Sequence, residues 1–172
     1  NKTALRRVAV FDPVKVTVTN YPEDKVEYFD LPNNPNDENA GTRKLPFTRE
    51  LYVEREDVSI DPPPKYFRMK LGGEVRLMGG YIVKVDEIKT DDNGNVTEVL
   101  CTADLETGNG MPADGRKIKG TIHWLSAKYA EPATLMLYDR LFNIENTAEV
   151  PEGKTYLDFL NEESLTKLEG AM

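Results

Sequence analysis

The sequence predicts a mainly β protein, and two observations carry this prediction. Apolar and polar residues alternate along many short segments, which is the period-two pattern of strands buried on one face. Clusters rich in Gly, Pro, Asn and Asp separate these segments and indicate turns. Many short strands with few helical periods are typical of barrels and sandwiches.

The strands follow from the alternation, taken in chain order. Val14, Val16 and Val18 alternate with polar residues, so the valines point to one face of a strand and the polar residues to the other. Comparable patterns predict further strands at Val8–Phe11, Lys25–Phe29, Glu50–Glu54, Tyr66–Lys70, Glu74–Met78, Tyr81–Ile88, Val96–Ala103, Ile118–Ser126 and Thr134–Phe142.

Turns and one helix complete the predicted secondary structure. Asp91-Asp-Asn-Gly-Asn95 predicts a tight hairpin between Tyr81–Thr90 and Val96–Leu105, because Asn-Gly supplies the positive φ values that such turns need. A short C-terminal helix is expected at Asn161–Leu168, with Asn161 as its N-cap. The three prolines of Asp61-Pro-Pro-Pro64 enforce extended backbone and mark the best internal boundary.

Composition excludes several classes of site. No apolar run approaches the ~20 residues of a membrane span, so we expect a soluble, cytoplasmic protein without a membrane partner. Cys101 is the only cysteine, which excludes an internal disulfide and a multi-cysteine metal site. One histidine and no glycine-rich phosphate loop leave no catalytic or metal-binding constellation. The chain itself is therefore predicted to be non-catalytic and free of metal.

The net charge of −8 argues against non-specific electrostatic binding of nucleic acid. Most of the deficit lies at the end of the chain, however. Residues 129–172 carry 3 basic and 9 acidic side chains, whereas residues 65–128 carry 10 and 9. Local and specific contacts to RNA by the middle of the chain thus stay compatible with the acidic total.

The segment Lys65-Tyr-Phe-Arg-Met-Lys70 carries the candidate RNA-binding residues. On a strand, Tyr66, Arg68 and Lys70 share one face, which then offers an aromatic ring for stacking and a guanidinium fork for reading base edges. Arg76 follows the Gly72-Gly73 turn and is placed to return to that face. The alternative is charge pairing across strands, for example of Arg76 with a carboxylate. From these residues alone, charge pairing is the favoured interpretation.

A specific family resemblance changes that balance. Gly120-Thr-Ile-His-Trp-Leu-Ser-Ala127 and Leu137-Tyr-Asp-Arg-Leu-Phe142 closely resemble the C-terminal anticodon-binding domain of glutaminyl-tRNA synthetases. Further matching pieces follow in the family's order, and they are Arg6–Lys15, Pro32–Pro35, Gly41–Phe47, Leu51–Asp57, Gly73–Leu77, Thr102–Glu106 and Asp114–Gly120.

The resemblance implies a fold of two antiparallel β-barrels, one proximal and one distal to a catalytic body. The implied assignment is 1–64 for the first part of the proximal barrel, 65–142 for the distal barrel and 143–172 for the return to the proximal barrel. The family's chain continues past the position of Met172. Closing strands of the proximal barrel are therefore expected outside this sequence.

The resemblance also implies the site. The family's anticodon-reading arginines fall on Arg6, Arg68 and Arg76, while Lys65 and Tyr66 border a pocket. Lys70 and Lys119 would be secondary phosphate contacts. A further arginine that the family often carries two residues after Arg76 is replaced by Met78, which affects contacts to the first anticodon base.

The function implied is recognition of the tRNA(Gln) anticodon loop. A catalytic domain of the same chain, absent from this sequence, would use ATP to join glutamine to the tRNA, and no cofactor is expected in these residues. Besides a structural β module without an RNA role, two alternatives stay open. One is the same domain of an archaeal or eukaryotic-type glutamate–tRNA ligase, and the other is a ribosomal-RNA-binding β-barrel protein, against which the acidic balance argues.

Overall fold

The computed structural model describes residues 3–112 and 114–172 and confirms a mainly β protein. Three short 3-10 turns lie at Glu38–Ala40, Arg55–Asp57 and Tyr156–Phe159. No helix among the described residues is long and apolar enough to cross a membrane. The strands are β1 (Pro13–Val18), β2 (Glu27–Pro32), β3 (Thr42–Phe47), β4 (Glu50–Glu54), β5 (Glu74–Leu77), β6 (Ile82–Thr90), β7 (Val96–Ala103), β8 (Thr121–Ile122), β9 (Leu125–Ser126), β10 (Ala133–Tyr138) and β11 (Leu165–Ala171).

The chain divides into two compact units. The first comprises residues 3–131 with Met172, and the second comprises Pro132–Ala171. In the first unit, seven strands form one sheet in the order β8-β5-β6-β7-β1-β4-β9, and β2 pairs with β3 as a separate hairpin. In the second unit, β10 pairs antiparallel with β11.

This division differs from the one expected at the triple proline. β1 and β4, which precede the prolines, share a sheet with β5, β6 and β7, which follow them, because β1 pairs directly with β7. The sheet is also mixed, since the β1–β7 and β5–β8 pairs are parallel. The assignment of proximal and distal barrels relative to a catalytic body stays a prediction.

The seven-stranded sheet is rolled, because its two edges are joined by a short stretch of chain. β8 forms one edge and β9 forms the other, and only His123 and Trp124 separate them. The three backbone steps from Ile122 to Leu125 span at most ~11 Å. A flat sheet of seven strands would hold its edges much farther apart, since each pair of neighbours adds roughly 4.8 Å. The edges therefore approach each other, and the strands curl around an interior.

Alternation along the strands fills that interior. Val14, Val16 and Val18 are fully buried, as the sequence predicts, and they pack with valines of β5, β6 and β7. Trp124 lies inside with 1% exposure, and its indole nitrogen donates to the carbonyl oxygen of Met78 at 3.0 Å. Its ring meets Phe47 edge-to-face at 5.2 Å between centroids. The chain that joins the two edges thus also supplies the largest core side chain.

The predicted hairpin is confirmed. β6 and β7 pair antiparallel, and Gly94 takes a positive φ of 82° in the turn between them. Asp91 accepts hydrogen bonds from the backbone N–H groups of Asn93 and Asn95. The side chain therefore closes the turn that Asn-Gly permits.

Three predicted elements are wrong. The segment expected as a helix, Asn161–Leu168, is a turn closed by Asn161, followed by β11. The spacing of its leucines resembles that of a helix. Its backbone groups instead form the hydrogen bonds of an antiparallel pair with β10. Val8–Phe11 forms no strand, although Val10 exchanges two hydrogen bonds with Met172. Tyr66–Lys70 is a loop with one isolated bridge, Val58 to Met69.

One predicted strand is divided, and one strand of the structure was not predicted. The stretch Ile118–Ser126 is divided between β8 and β9, because the chain crosses between the two sheet edges there. β3 was not predicted, since Pro46 interrupts a charged segment, yet Pro46 sits opposite Tyr28 in the hairpin. Pro46 is tolerated because β3 pairs with β2 alone in a two-stranded sheet.

The hairpin of β2 and β3 is tied to the core through a shared carboxylate. Glu27 accepts hydrogen bonds from the hydroxyls of Tyr81 at 2.6 Å and Tyr21 at 3.1 Å. The bond from Tyr81 is the main reason why the pKa of Glu27 lies below its usual value. Burial, followed by the hydrogen bond to Glu27, raises the pKa of Tyr81 to about 12.

We expect Tyr81→Phe to lower the free energy of unfolding by about 1–2 kcal/mol, because Glu27 loses its shortest hydrogen bond. Wild-type stability falls as the pH drops below the ordinary Glu pKa of 4.5, and again as it rises above the ordinary Tyr pKa of 10. Both limbs should be shallower in the variant, measured by urea unfolding across pH. Tyr129→Phe, at an exposed position, is the control. Parallel pH profiles for wild type and Tyr81→Phe would contradict the assignment.

Gly120 positions the loop 61–70 against the edge of the rolled sheet. A Cβ atom at this position would lie 1.6 Å from the carbonyl oxygen of Phe67, a distance that no side chain can tolerate. The backbone of residue 120 therefore approaches the loop as only glycine permits.

We expect Gly120→Ala to displace this loop and to destabilise the first unit by about 1–3 kcal/mol, as overpacking does. Tryptic cleavage after Lys65, Arg68 and Lys70 should accelerate, which limited proteolysis followed by mass spectrometry measures. Gly80→Ala is the matched control, because a Cβ there meets its nearest neighbours at an ordinary 3.5 Å. Equal cleavage rates in the two variants would contradict the role of Gly120.

Candidate nucleic-acid interface

A basic groove lies between the loop 61–70 and the segment that leads into β8. Its volume is about 220 Å³, and Glu74 is its only acidic lining residue. The basic and aromatic side chains that line it are Tyr66, Phe67, Arg68, Lys70, Lys117 and Lys119. Tyr66, Arg68, Lys70 and Lys119, which the sequence analysis singled out from separate parts of the chain, are therefore brought together here.

The loop reaches this arrangement without being a strand. Prolines cannot donate backbone hydrogen bonds, and Lys65 takes a positive φ of 66°, so the chain turns instead of pairing along a neighbour. The N–H of Tyr66 donates to the carbonyl oxygen of Pro63 at 3.1 Å. Met69 is fully buried and anchors the loop through its N–H, which donates to the carbonyl oxygen of Asp57.

Arg68 is half exposed and held by a nearly buried carboxylate. Its Nη1 donates to Oδ1 of Asp57 at 2.5 Å, and the side chains are 52% and 11% exposed, respectively. Burial raises the pKa of Asp57, whereas the charge of Arg68 acts in the opposite direction. Asp57 thus holds the guanidinium from the buried side, while the exposed part of Arg68 lines the groove.

Arg76 touches the groove only through its backbone, and its guanidinium forms no ion pair with an acidic side chain among the described residues. It sits on β5 opposite Ile82 and Thr121, and its N–H donates to the carbonyl oxygen of Gly120. Its guanidinium donates to the carbonyl oxygens of Gly110 at 2.6 Å and Gly80 at 3.4 Å. Charge pairing, the alternative from sequence, therefore describes Arg68 but not Arg76 within the described residues.

The loop that carries Gly110 is braced by Arg116. This guanidinium forms ion pairs with Asp104 at 2.5 Å, Asp114 at 2.9 Å and Glu74 at 3.2 Å. Hydrogen bonds from Thr107, then from Arg116, lower the pKa of Asp104 to about 2. Arg116 is thereby saturated by carboxylates and organises the loop instead of facing a ligand.

Two of the basic and aromatic groove residues, Phe67 and Lys117, were not selected from the sequence as site residues. Phe67 was assigned to the face opposite Arg68, but it is 45% exposed and its ring lies 4.9 Å from the ammonium nitrogen of Lys119. Lys117 belongs to the basic turn before β8 and lines the same groove. The alternation expected of a strand placed Phe67 on the wrong face, because this segment is a loop. The period-two pattern of apolar and polar residues was therefore misleading here.

Three predicted residues, Arg76 among them, lie outside the groove lining. Lys65 is exposed and precedes the lining residues of its loop. Arg6 is exposed near the turn after β2, where its backbone N–H donates to the carbonyl oxygen of Asn33 at 2.7 Å. Of the three predicted arginines, Arg68 thus lines the groove, whereas the guanidinium of Arg76 reaches Gly80 and Gly110. Arg6 lies near Asn33 instead.

Clusters of potential metal ligands are not found among residues 3–112 and 114–172. No group of three or more His, Cys, Asp or Glu side chains in these ranges is arranged to hold a metal ion. The groove offers hydrogen-bond donors, positive charge and aromatic rings, which together suit unstacked nucleotides.

The comparison with known proteins agrees with a nucleic-acid interface. Residues 4–104 and 121–172 match two family models, both described as the anticodon-binding domain of class I tRNA synthetases (E and Q). A glutamine–tRNA ligase of Rhodopirellula baltica is 52% identical over 168 residues, covering 98% of this chain and 28% of that protein. The glutamine–tRNA ligase of Clostridium perfringens is 49% identical over 169 residues, covering 98% of this chain and 30% of the relative.

A third relative extends the comparison. The glutamine–tRNA ligase of Xanthomonas campestris is 47% identical over 167 residues, covering 97% of this chain and 29% of that protein. The chain thus spans less than a third of the length of the curated relatives that it matches. Since the two family models together cover most of the sequence, the chain belongs to the family of anticodon-binding domains of class I glutamyl- and glutaminyl-tRNA synthetases.

Proposed function

We propose that this chain recognises the anticodon loop of tRNA(Gln) as part of a glutamine–tRNA ligase. The observation that carries the proposal is the groove in which Arg68, Lys70 and Lys119 converge beside the exposed ring of Phe67 and the half-buried ring of Tyr66. The similarity to proteins named glutamine–tRNA ligase supports glutamine over glutamate as the amino acid of the parent enzyme. The family match does not favour a ribosomal protein.

The groove suits an unpaired base in two ways. An aromatic face such as that of Phe67 or Tyr66 stacks on any base, so it holds the nucleotide without selecting it. The guanidinium of Arg68 then selects, because its donors match acceptor pairs on a base edge. A bidentate contact of this kind gives roughly 1–3 kcal/mol of discrimination in nucleic-acid readout.

The lysines of the groove serve a different purpose. Lys70, Lys117 and Lys119 bear compact charges on flexible stems, which suit phosphate oxygens better than base edges. Lys65 directly precedes Tyr66, and the backbone N–H of Arg76 donates to Gly120 of the groove lining, so we assign both residues to the same proposed RNA surface. Arg6 would read its base from a separate part of the first unit. Met78 has no donor side chain, so fewer hydrogen bonds are available to the first anticodon base.

The remaining parts of the function lie outside the chain. A catalytic domain of the parent protein would bind ATP, glutamine and the tRNA acceptor end, and the anticodon contact would act on it through a coupling free energy. This chain would hold no cofactor of its own. We place the parent enzyme in the cytoplasm, where aminoacylation supplies the ribosome.

We expect Arg68→Ala in the intact ligase to raise KM for tRNA(Gln) by roughly tenfold or more, since the contact discriminates by ~1–3 kcal/mol. Activation of glutamine by ATP should stay nearly unchanged, as pyrophosphate exchange measures. Arg68→Lys keeps a positive charge beside Asp57 and removes only the fork, so it should show the same defect without loss of folding stability. Arg140→Ala, exposed in the second unit, is the control. An unchanged KM in both Arg68 variants would remove Arg68 from the reading surface.

We expect Asp57→Asn to weaken selectivity through Arg68, because the neutral amide no longer holds the guanidinium by charge. The ratio of kcat/KM for cognate tRNA to that for a tRNA with one altered anticodon base should fall by roughly fivefold to tenfold, for a coupling of ~1–1.4 kcal/mol. Combining Asp57→Asn with Arg68→Ala should add little to the defect of Arg68→Ala alone. Additive effects of the two substitutions would show that Asp57 acts on stability and not on the orientation of Arg68.

A further inference from the structure

We propose that Arg7 and Arg43, next to Arg6, bind phosphodiester groups of an RNA backbone at a second site outside the groove. The inference rests on the proposed RNA-binding function and adds a sequence-independent contact to it. The three arginines come from two distant segments, residues 6–7 and the start of β3. They surround the turn that follows β2.

Asn33 joins these segments. Its carbonyl oxygen accepts from the N–H of Arg6 at 2.7 Å, and its Oδ1 accepts from Nη1 of Arg7 at 3.3 Å. Nη1 of Arg7 also donates to the carbonyl oxygen of Arg6 at 2.8 Å. On the other side, Nη1 of Arg43 donates to the carbonyl oxygen of Pro32 at 2.8 Å. Arg7 and Arg43 are thereby held against adjacent residues of one turn.

The turn itself is rigid, because Asn33 uses its remaining polar groups inside it. Its backbone N–H donates to Gly41 at 2.9 Å, and its Nδ2 donates to the carbonyl oxygens of Ala40 at 2.9 Å and Thr42 at 3.2 Å. A fully bonded asparagine fixes its neighbours with little freedom. The arginines are therefore presented from a preformed scaffold.

The charges of this cluster have no acidic partner among the described residues. Every acceptor that these guanidinium groups contact is a neutral oxygen, and the ion pairs within those residues involve none of them. Acidic side chains nevertheless outnumber Lys and Arg by 30 to 22 in this chain. The same hairpin offers a contrast, since Lys44 pairs with Asp30 at 2.7 Å.

Proximity of like charges has a measurable consequence. Burial and, second, the positive charge of Arg7 lower the pKa of Arg43. Repulsion between two guanidinium groups opposes folding unless a ligand offsets it. An anion that contacts both would relieve the repulsion, and such perturbed clusters concentrate at functional sites.

A phosphate group fits the donors that remain. Among the described contacts Arg7 and Arg43 each donate through a single nitrogen, so most of their five N–H groups stay available. Guanidinium forks match phosphate oxygens bidentately. In a protein of net charge −8, an uncompensated pair of arginines also attracts a polyanion locally while the rest of the surface repels it.

The test measures the affinity of the 172-residue chain for two RNA hairpins, one with the glutamine anticodon and one with an altered anticodon base. Fluorescence anisotropy is recorded between 50 and 200 mM KCl for wild type and for the double variant Arg7→Gln/Arg43→Gln. Loss of two phosphate contacts should reduce the magnitude of the slope of log K against log salt by roughly 1.4–1.8. Affinity should fall by about tenfold or more, and by the same factor for both hairpins.

Lys44→Gln is the matched control, because it removes one positive charge from the same strand, at a residue that is paired with Asp30. Its salt slope should equal that of the wild type. The thermal unfolding midpoint of each variant, measured without RNA, checks that the fold is retained. A variant that unfolds is replaced by Arg43→Gln alone, for which the slope should fall by roughly 0.7–0.9.

Four outcomes overturn the inference. An unchanged salt slope removes the phosphate contacts, and a loss confined to one anticodon shows base reading instead. A third outcome is that inorganic phosphate stabilises the wild type and not the double variant, while both proteins have the same salt slope for RNA. That result would assign the site to a free anion. No RNA binding by the wild-type chain at 50 mM KCl defeats the proposed function as well. Intact wild-type binding with an unchanged variant slope defeats this inference alone.

Discussion

The architecture of the first unit depends on one covalent constraint, the short chain segment that forms both edges of its main sheet. β8 and β9 lie at opposite ends of the strand order, yet two residues separate them in sequence. The sheet must therefore roll, and Trp124, one of those two residues, is carried into the interior that the roll creates. The same segment closes the sheet, fills the core with Trp124 and leads the chain past the loop 61–70.

The groove is a consequence of that closure. Gly120 precedes β8 directly, so the edge of the rolled sheet brings residues 117–120 against the backbone of Phe67. Lysines from one segment and Arg68 from the other then face a common space, although about 50 residues separate them along the chain. The packing of a glycine against a carbonyl group is thus the local contact on which the proposed RNA surface rests.

The acidic side chains of this protein compensate some of its arginines and leave others without an ion pair among the described residues. Asp57 is kept below the surface and orients Arg68, and Arg116 is saturated by three carboxylates within its loop. Arg7, Arg43 and Arg76 instead contact neutral oxygens within the described residues. The net charge alone is therefore a poor guide to RNA binding. The proposed binding depends on which basic side chains have no acidic partner at short range, where screening by salt is weak.

The sequence by itself determined the β class, the bounds of β4 and β7, the hairpin at Asp91–Asn95 and the family, because alternation, Asn-Gly turns and ordered motifs are local signals. It also predicted Arg68, Arg76 and Lys119 as site residues, of which Arg68 and Lys119 line the groove. Tertiary structure alone decided that Tyr66–Lys70 is a loop, that residues 165–171 pair with β10 and that Phe67 reaches the groove. Those outcomes depend on hydrogen-bond partners and close approaches supplied by chain segments far away in sequence, and no local periodicity encodes where such partners come to lie.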